Sequence, residues 1–108
     1  MDDEVQLWRY ELRRDGATST VELAGELDLQ CADEVRFLLT EQAGIPGVST
    51  VVLDLERVSF LDSTVLGCFI SGYYAAQKAG RVLTIVNPSE AALRVLRITG
   101  LLTLLAPA

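Results

Sequence analysis

Three short runs of this sequence hold residue types that could do chemistry. Asp62-Ser63-Thr64 sets two hydroxyls behind a carboxylate, Asp28 closes the run Gly25-Glu26-Leu27-Asp28, and Cys31 and Cys68 are the only thiols. A hydroxyl in the first turn of a helix lies beside backbone N–H groups that lack intrahelical partners, and the positive end of the helix dipole favours an anion there. Ser63 in such a turn could take a phosphate without unfolding the helix. That phosphate would bring a charge of about −1.5 to −2 beside Asp62 and near Asp28, and a partner surface fitted to a neutral hydroxyl would meet repulsion and a desolvation cost. Asp-Ser-Thr before an apolar run is equally ordinary N-cap chemistry, and Asp28 is open to the same reading. Spacing alone does not separate the two.

Other chemistries are poorly supplied. His is absent, which removes the usual general base and the commonest zinc ligand, and with them Ser-His-Asp and Cys-His hydrolysis. No Gly-rich loop followed by Lys is present, and Gly67 and Gly72 are assigned to close helix–sheet packing. Only carboxylates and hydroxyls remain, so an enzyme is the weakest reading, and no cofactor or metal is expected. The net charge of −6, with Arg and Lys scattered, argues against nucleic acid and suits a basic patch on another protein. No apolar run approaches the ~18–20 residues of a membrane span. Met1-Asp2-Asp3-Glu4 is acidic where a signal peptide is basic and then apolar, so no membrane association is expected and the cytoplasm is the expected location. A helix N-terminus lowers a thiol pKa, which makes Cys31 a somewhat reactive candidate, whereas Cys68 reads as a small core hydrophobe.

The elements that must position these groups follow from periodicity. The chain of 108 residues favours one domain spanning its whole length. Residues 5–13 alternate, with Trp8, Tyr10 and Leu12 on the face expected to pack in the core. After the turn dipeptide Asp15-Gly16 the alternation resumes at Val21, Leu23 and Gly25, which predicts a hairpin. Asp28 is a candidate cap for a helix that buries Val35, Leu38 and Leu39 and stops at Gly44 and Pro46. Residues 51–55 and 82–86 read as interior strands around a helix over 62–79, so they should be parallel. Phe69, Ile70 and Tyr73 on that helix read as packing and Tyr74 as exposed. Asn87-Pro88-Ser89-Glu90 predicts a helix capped by Asn87 that buries Ala91, Val95 and Ile98 and ends at Gly100. Leu101 to Leu105 suggests a last strand. The expected class is α/β in the order β-β-α-β-α-β-α-(β), with a mixed sheet of four or five strands and three or four helices.

Gly25-Glu26-Leu27-Asp28, Val51-Val52-Leu53-Asp54-Leu55 and Phe60-Leu61-Asp62-Ser63-Thr64-Val65-Leu66-Gly67, in this order and spacing, resemble a STAS domain of the anti-sigma-factor antagonist family. Asn87-Pro88-Ser89 and Ile98-Thr99-Gly100-Leu101 fit the same pattern, so the resemblance runs from about Val5 to Leu105. The resemblance implies a bacterial partner switch. The unphosphorylated protein binds an anti-sigma factor that is also a serine kinase, and sigma factor is freed. The kinase then uses ATP to phosphorylate Ser63, with Thr64 as the alternative acceptor, and a phosphatase reverses the mark. By the same resemblance Asp62 positions Ser63, and Asp28, Asp62, Ser63, Thr64 and Val65 form the partner-binding surface. The family usually has Gly where this chain has Val65, and many relatives carry a further C-terminal helix. A redox role, through a Cys31–Cys68 disulfide, is the implied alternative to phosphorylation, alongside a scaffold or a ligand-sensing module.

Overall fold

Alternating apolar residues on either side of a Gly turn make the first unit of the fold a hairpin. In a computed structural model, which describes residues 7–106, β1 (Trp8–Asp15) pairs antiparallel with β2 (Thr18–Leu27) through the Asp15-Gly16 turn. A short 3-10 turn over Leu29–Cys31 leads into α1 (Ala32–Ala43). β3 (Thr50–Leu61), α2 (Ser63–Lys78), β4 (Val82–Val86), α3 (Glu90–Thr99) and α4 (Leu102–Leu105) follow. The sheet runs β1-β2-β3-β4, with β2, β3 and β4 mutually parallel. The expected α/β class, the mixed sheet and the parallel crossover are all present.

α1 and α2 pack together over one face of the sheet, burying Leu23, Leu53, Leu55, Leu83 and Ile85 beneath Val35, Leu39 and Phe69. Gly72 of α2 makes that approach close: a Cβ there would stand 3.2 Å from both Leu39 Cβ and Leu83 Cδ1. α3 and α4 cover the opposite face of β3 and β4, where Thr84 Oγ1 donates to the Leu105 carbonyl at 3.0 Å.

Several expectations are corrected by this packing. Trp8, Tyr10 and Leu12 do share the face of Val21 and Leu23, but α1 does not extend over β1; Trp8 is half-buried, and Tyr10 and Leu12 are exposed. Residues 5 and 6 of the expected strand lie outside the described residues. Asp28 caps the 3-10 turn, while α1 itself starts at Ala32. The helix after β4 is capped by Ser89, whose Oγ accepts from Ala92 N at 3.1 Å. Asn87 instead takes a left-handed φ of 50°, and its amide meets the buried Asp54 carboxylate at 3.5 Å. The buried stripe of that helix is Ala92 and Leu96, with Val95 packed against the core as expected, Ala91 half-buried and Ile98 exposed. Gly100 in the left-handed region lets Leu101 N bond back to Leu96 O at 2.9 Å, closing the helix end. The apolar tail is then a helical turn, α4, not a strand, because a short apolar run carries no period that separates the two.

Candidate functional site

Leu27 and Leu61 end two neighbouring parallel strands, face each other in register and are both buried. The Asp62 N–H donates to the Leu27 carbonyl at 3.2 Å, so Asp28 and Asp62 leave the sheet side by side. Each carboxylate folds back onto its own chain. Asp28 Oδ1 accepts from Gln30 N at 2.9 Å, and Asp62 Oδ1 accepts from Val65 N at 3.0 Å. The Asp62 carbonyl takes Leu66 N at 3.1 Å, which starts the α2 ladder. The side-chain cap satisfies Val65 and leaves the N–H groups of Ser63 and Thr64 at the open helix end. Both hydroxyl side chains are exposed there.

Asp62 is therefore first a structural cap. Asp62→Ala is expected to lower stability by about 1 kcal/mol, and Asp62→Asn by much less, because an amide oxygen also caps well. Urea titration checks this: the midpoint should fall for Ala with the slope unchanged.

Asp28, Asp62, Ser63 and Thr64 thus converge on one corner of the surface. Val65 does not join them. Its side chain is fully buried in the core, so only its N–H contributes here, and the expectation that it lies on a partner-binding surface is corrected. Its β-branched bulk points inward and leaves the hydroxyls uncrowded. One residue not singled out from sequence flanks the corner: Leu29, 68% exposed, directly follows Asp28. Phe60, 48% exposed, instead lines a depression with Ala91, Arg94 and Val95 of α3. Leu29 carried a usable signal, an apolar residue in a polar turn. Gly67, one turn behind Ser63, is exposed with nothing within 4 Å of where a Cβ would stand, so packing explains Gly72 but not Gly67. Tyr74 is exposed further along the helix, as expected.

The thiols lie beneath this corner. Cys31 Sγ donates to the Asp28 carbonyl and Cys68 Sγ to the Ala32 carbonyl, each at 3.3 Å, and both cysteines are buried and unpaired. Burial pushes both thiols above their ordinary value of 9.0, partly offset at Cys68 by nearby Arg36. Desolvation outweighs the helix-end effect expected to activate Cys31. A raised folded pKa means the fold holds these protons more tightly than the unfolded chain. Their contribution is complete below pH 9.0 and is lost as pH rises through the folded values. Stability measured by urea should therefore fall as pH rises past 9.0, and fall less steeply in a Cys31→Ala/Cys68→Ala double variant.

Fold and corner together define an α/β domain that presents an exposed hydroxyl turn between two acidic caps. The chain belongs to the STAS domain family, whose model matches residues 9–107. It is 35% identical over 81 residues to the anti-sigma-B factor antagonist of Staphylococcus aureus, covering 75% of this chain and 74% of that one. The Bacillus subtilis protein of the same name is 36% identical over 81 residues, covering 75% and 72%. Among solved structures, the anti-sigma factor antagonist SpoIIAA in its unphosphorylated form superposes with a TM-score of 0.77 at 24% identity, covering 88% of this chain and 84% of that one. An anti-sigma factor antagonist from Mycobacterium paratuberculosis gives a TM-score of 0.80 at 22% identity, covering 94% and 86%. These structural likenesses bear on the fold. Among the described residues, no helix is long and apolar enough to cross a membrane.

Proposed function

We propose that this protein is an anti-sigma-factor antagonist whose Ser63 is the phosphoacceptor of a partner switch. The observation that carries the proposal is the exposed Ser63 hydroxyl at the first position of α2, held between the Asp62 and Asp28 caps, in a chain 35% identical to a relative named for that role. In the unphosphorylated state the corner docks an anti-sigma factor that is also a serine kinase, and sigma factor is released. Leu29 supplies apolar contact area beside the hydroxyls, and Asp28 supplies charge. Ser63 Oγ attacks the γ-phosphoryl group of ATP, its proton passes to a base of the kinase, and ADP leaves. Thr64, exposed in the same turn, is the alternative acceptor. A phosphatase resets the protein in the cytoplasm. The chain acts by binding and performs no catalysis itself. Control through the thiols is the weaker reading, because both are buried and held protonated.

Phosphosite mapping by mass spectrometry on protein isolated from its own cells tests this. Phosphate is expected on Ser63. If neither Ser63 nor Thr64 carries it under any growth condition, the kinase-controlled mechanism fails.

A further inference from the structure

β1 has the alternation of a covered strand without the cover. Seven of its eight residues are exposed. Tyr10 and Leu12 are 45% and 42% exposed, and Tyr10 lines a depression with Asp33, Glu34, Leu38 and Phe37 of α1, the last 67% exposed. The opposite face of the strand carries Arg9, Glu11, Arg13 and Asp15. β1 also ends the sheet, with no partner strand on its outer side among the described residues. The Leu7 carbonyl accepts from Glu26 N at 2.8 Å, so odd-numbered residues bond to β2. By the antiparallel alternation, the N–H and C=O groups of Trp8, Tyr10, Leu12 and Arg14 point outward. A long edge with no proline and no register shift is a template for another strand.

We infer that this edge is a homodimer interface in which β1 pairs antiparallel with β1 of a second copy, about a two-fold axis at Leu12. Hydrogen bonding and charge together select that register. A register that sets an even residue opposite an odd one would aim free N–H groups at backbone already bonded to β2. Of the registers that remain, an axis at Glu11 sets Arg9 against Arg13 and Glu11 against itself, which is repulsive throughout. An axis at Tyr10 pairs Arg9 with Glu11 but leaves Arg13 against Leu7 and shortens the overlap. With the axis at Leu12, Arg9 of each copy stands opposite Asp15 of the other, and Glu11 opposite Arg13. Symmetry doubles both pairs, as an isologous contact requires. On the helix side Tyr10 stands opposite Arg14 of the other copy, and Leu12 meets its own copy. Arg13, already 2.9 Å from Glu22, then lies between two carboxylates. The Ser63 corner follows β3 and is separated from this edge by β2, so both surfaces can be occupied at once.

Sedimentation equilibrium of the intact chain over a dilution series should show a reversible dimer. Glu11→Arg should weaken it at least tenfold, and adding Arg13→Glu should restore it, because the exchanged charges face each other again. The register is read by disulfide trapping with oxidised glutathione. The axis brings the two Leu12 Cα atoms to about 5.5 Å, within disulfide reach. Leu12→Cys should therefore cross-link to itself, whereas Tyr10→Cys should cross-link only when mixed with Arg14→Cys. A chain that stays monomeric at every concentration, with Leu12→Cys also failing to cross-link, overturns the proposal. So does a dimer indifferent to Glu11→Arg, or one that traps through Tyr10→Cys alone.

Discussion

Phosphate on Ser63 is expected to weaken docking of the kinase partner by between about tenfold and about a hundredfold, the range of a typical coupling between sites. The physical basis is local. The hydroxyl is exposed at a corner that already carries Asp28 and Asp62, whose carboxylates are bonded to Gln30 N and Val65 N. A phosphate of about −1.5 to −2 charge is held in place by the open N–H groups of the helix start, so α2 does not unfold and the change is felt by whatever docks there. Apolar contact at Leu29 makes the corner partly dry in a complex, where an unpaired charge is most costly. Calorimetric titration of the kinase with the unmodified protein, the Ser63-phosphorylated protein and Ser63→Ala separates the terms. Ser63→Ala should bind within a few-fold of the unmodified protein, because it keeps the neutral surface. Equal affinities for the phosphorylated and unmodified forms would refute the switch while leaving the docking surface standing.

Gly25→Ala is expected to be the most damaging small substitution in the chain. Gly25 sits at φ +91°, beside the bulge where the β2–β3 register shifts. A Cβ there would lie 2.1 Å from the Leu7 carbonyl oxygen and 3.0 Å from Trp8 Cα, both backbone atoms that no rotamer can move aside. The left-handed backbone alone costs an alanine about 1–3 kcal/mol. Driving β1 outward also strains the 2.8 Å bond from Glu26 N to Leu7 O. The total loss is expected to be at least about 3 kcal/mol, a large share of the ~5–15 kcal/mol that holds a domain together. Gly67→Ala is the matched control. It sits on an open face of α2 with a helical backbone, and should be neutral or stabilise by about 0.5–1 kcal/mol. Urea unfolding of both variants decides: a loss under about 1 kcal/mol for Gly25→Ala would mean that the hairpin yields freely at that point.

This contrast gives the run Gly25-Glu26-Leu27-Asp28 a physical meaning. Glycine lets β1 cross close over β2, Leu27 locks the strand end into the core, and Asp28 caps the turn that follows. The second run works alike, with Leu61 buried, Asp62 capping and Ser63 exposed. Both were legible in one dimension because turns and caps are made by residues a few positions apart. The parallel order of β3 and β4 was legible too, since the intervening helix forces a crossover.

What one dimension did not carry was which surfaces meet. Period two in β1 marks Tyr10 and Leu12 as one face, but only the position of α1 determines that this face stays open. Helical spacing fits Ala91, Val95 and Ile98 as well as Ala92 and Leu96, and only the packing of α3 on β3 buries the second pair and exposes Ile98. Val65 and Ser63 are two residues apart in the same motif, yet one is core and the other surface, because the angle of α2 against the sheet sets which side of its first turn is covered. The amino-acid sequence by itself determined most of the elements, the Asp62 cap and the acidic hydroxyl turn, all products of short-range hydrogen bonding and periodicity. The tertiary structure alone decided that Leu29 is exposed beside that turn, that the thiols beneath it are desolvated, and that Tyr10 and Leu12 of β1 are exposed. Burial depends on how distant segments pack, and no local pattern encodes it.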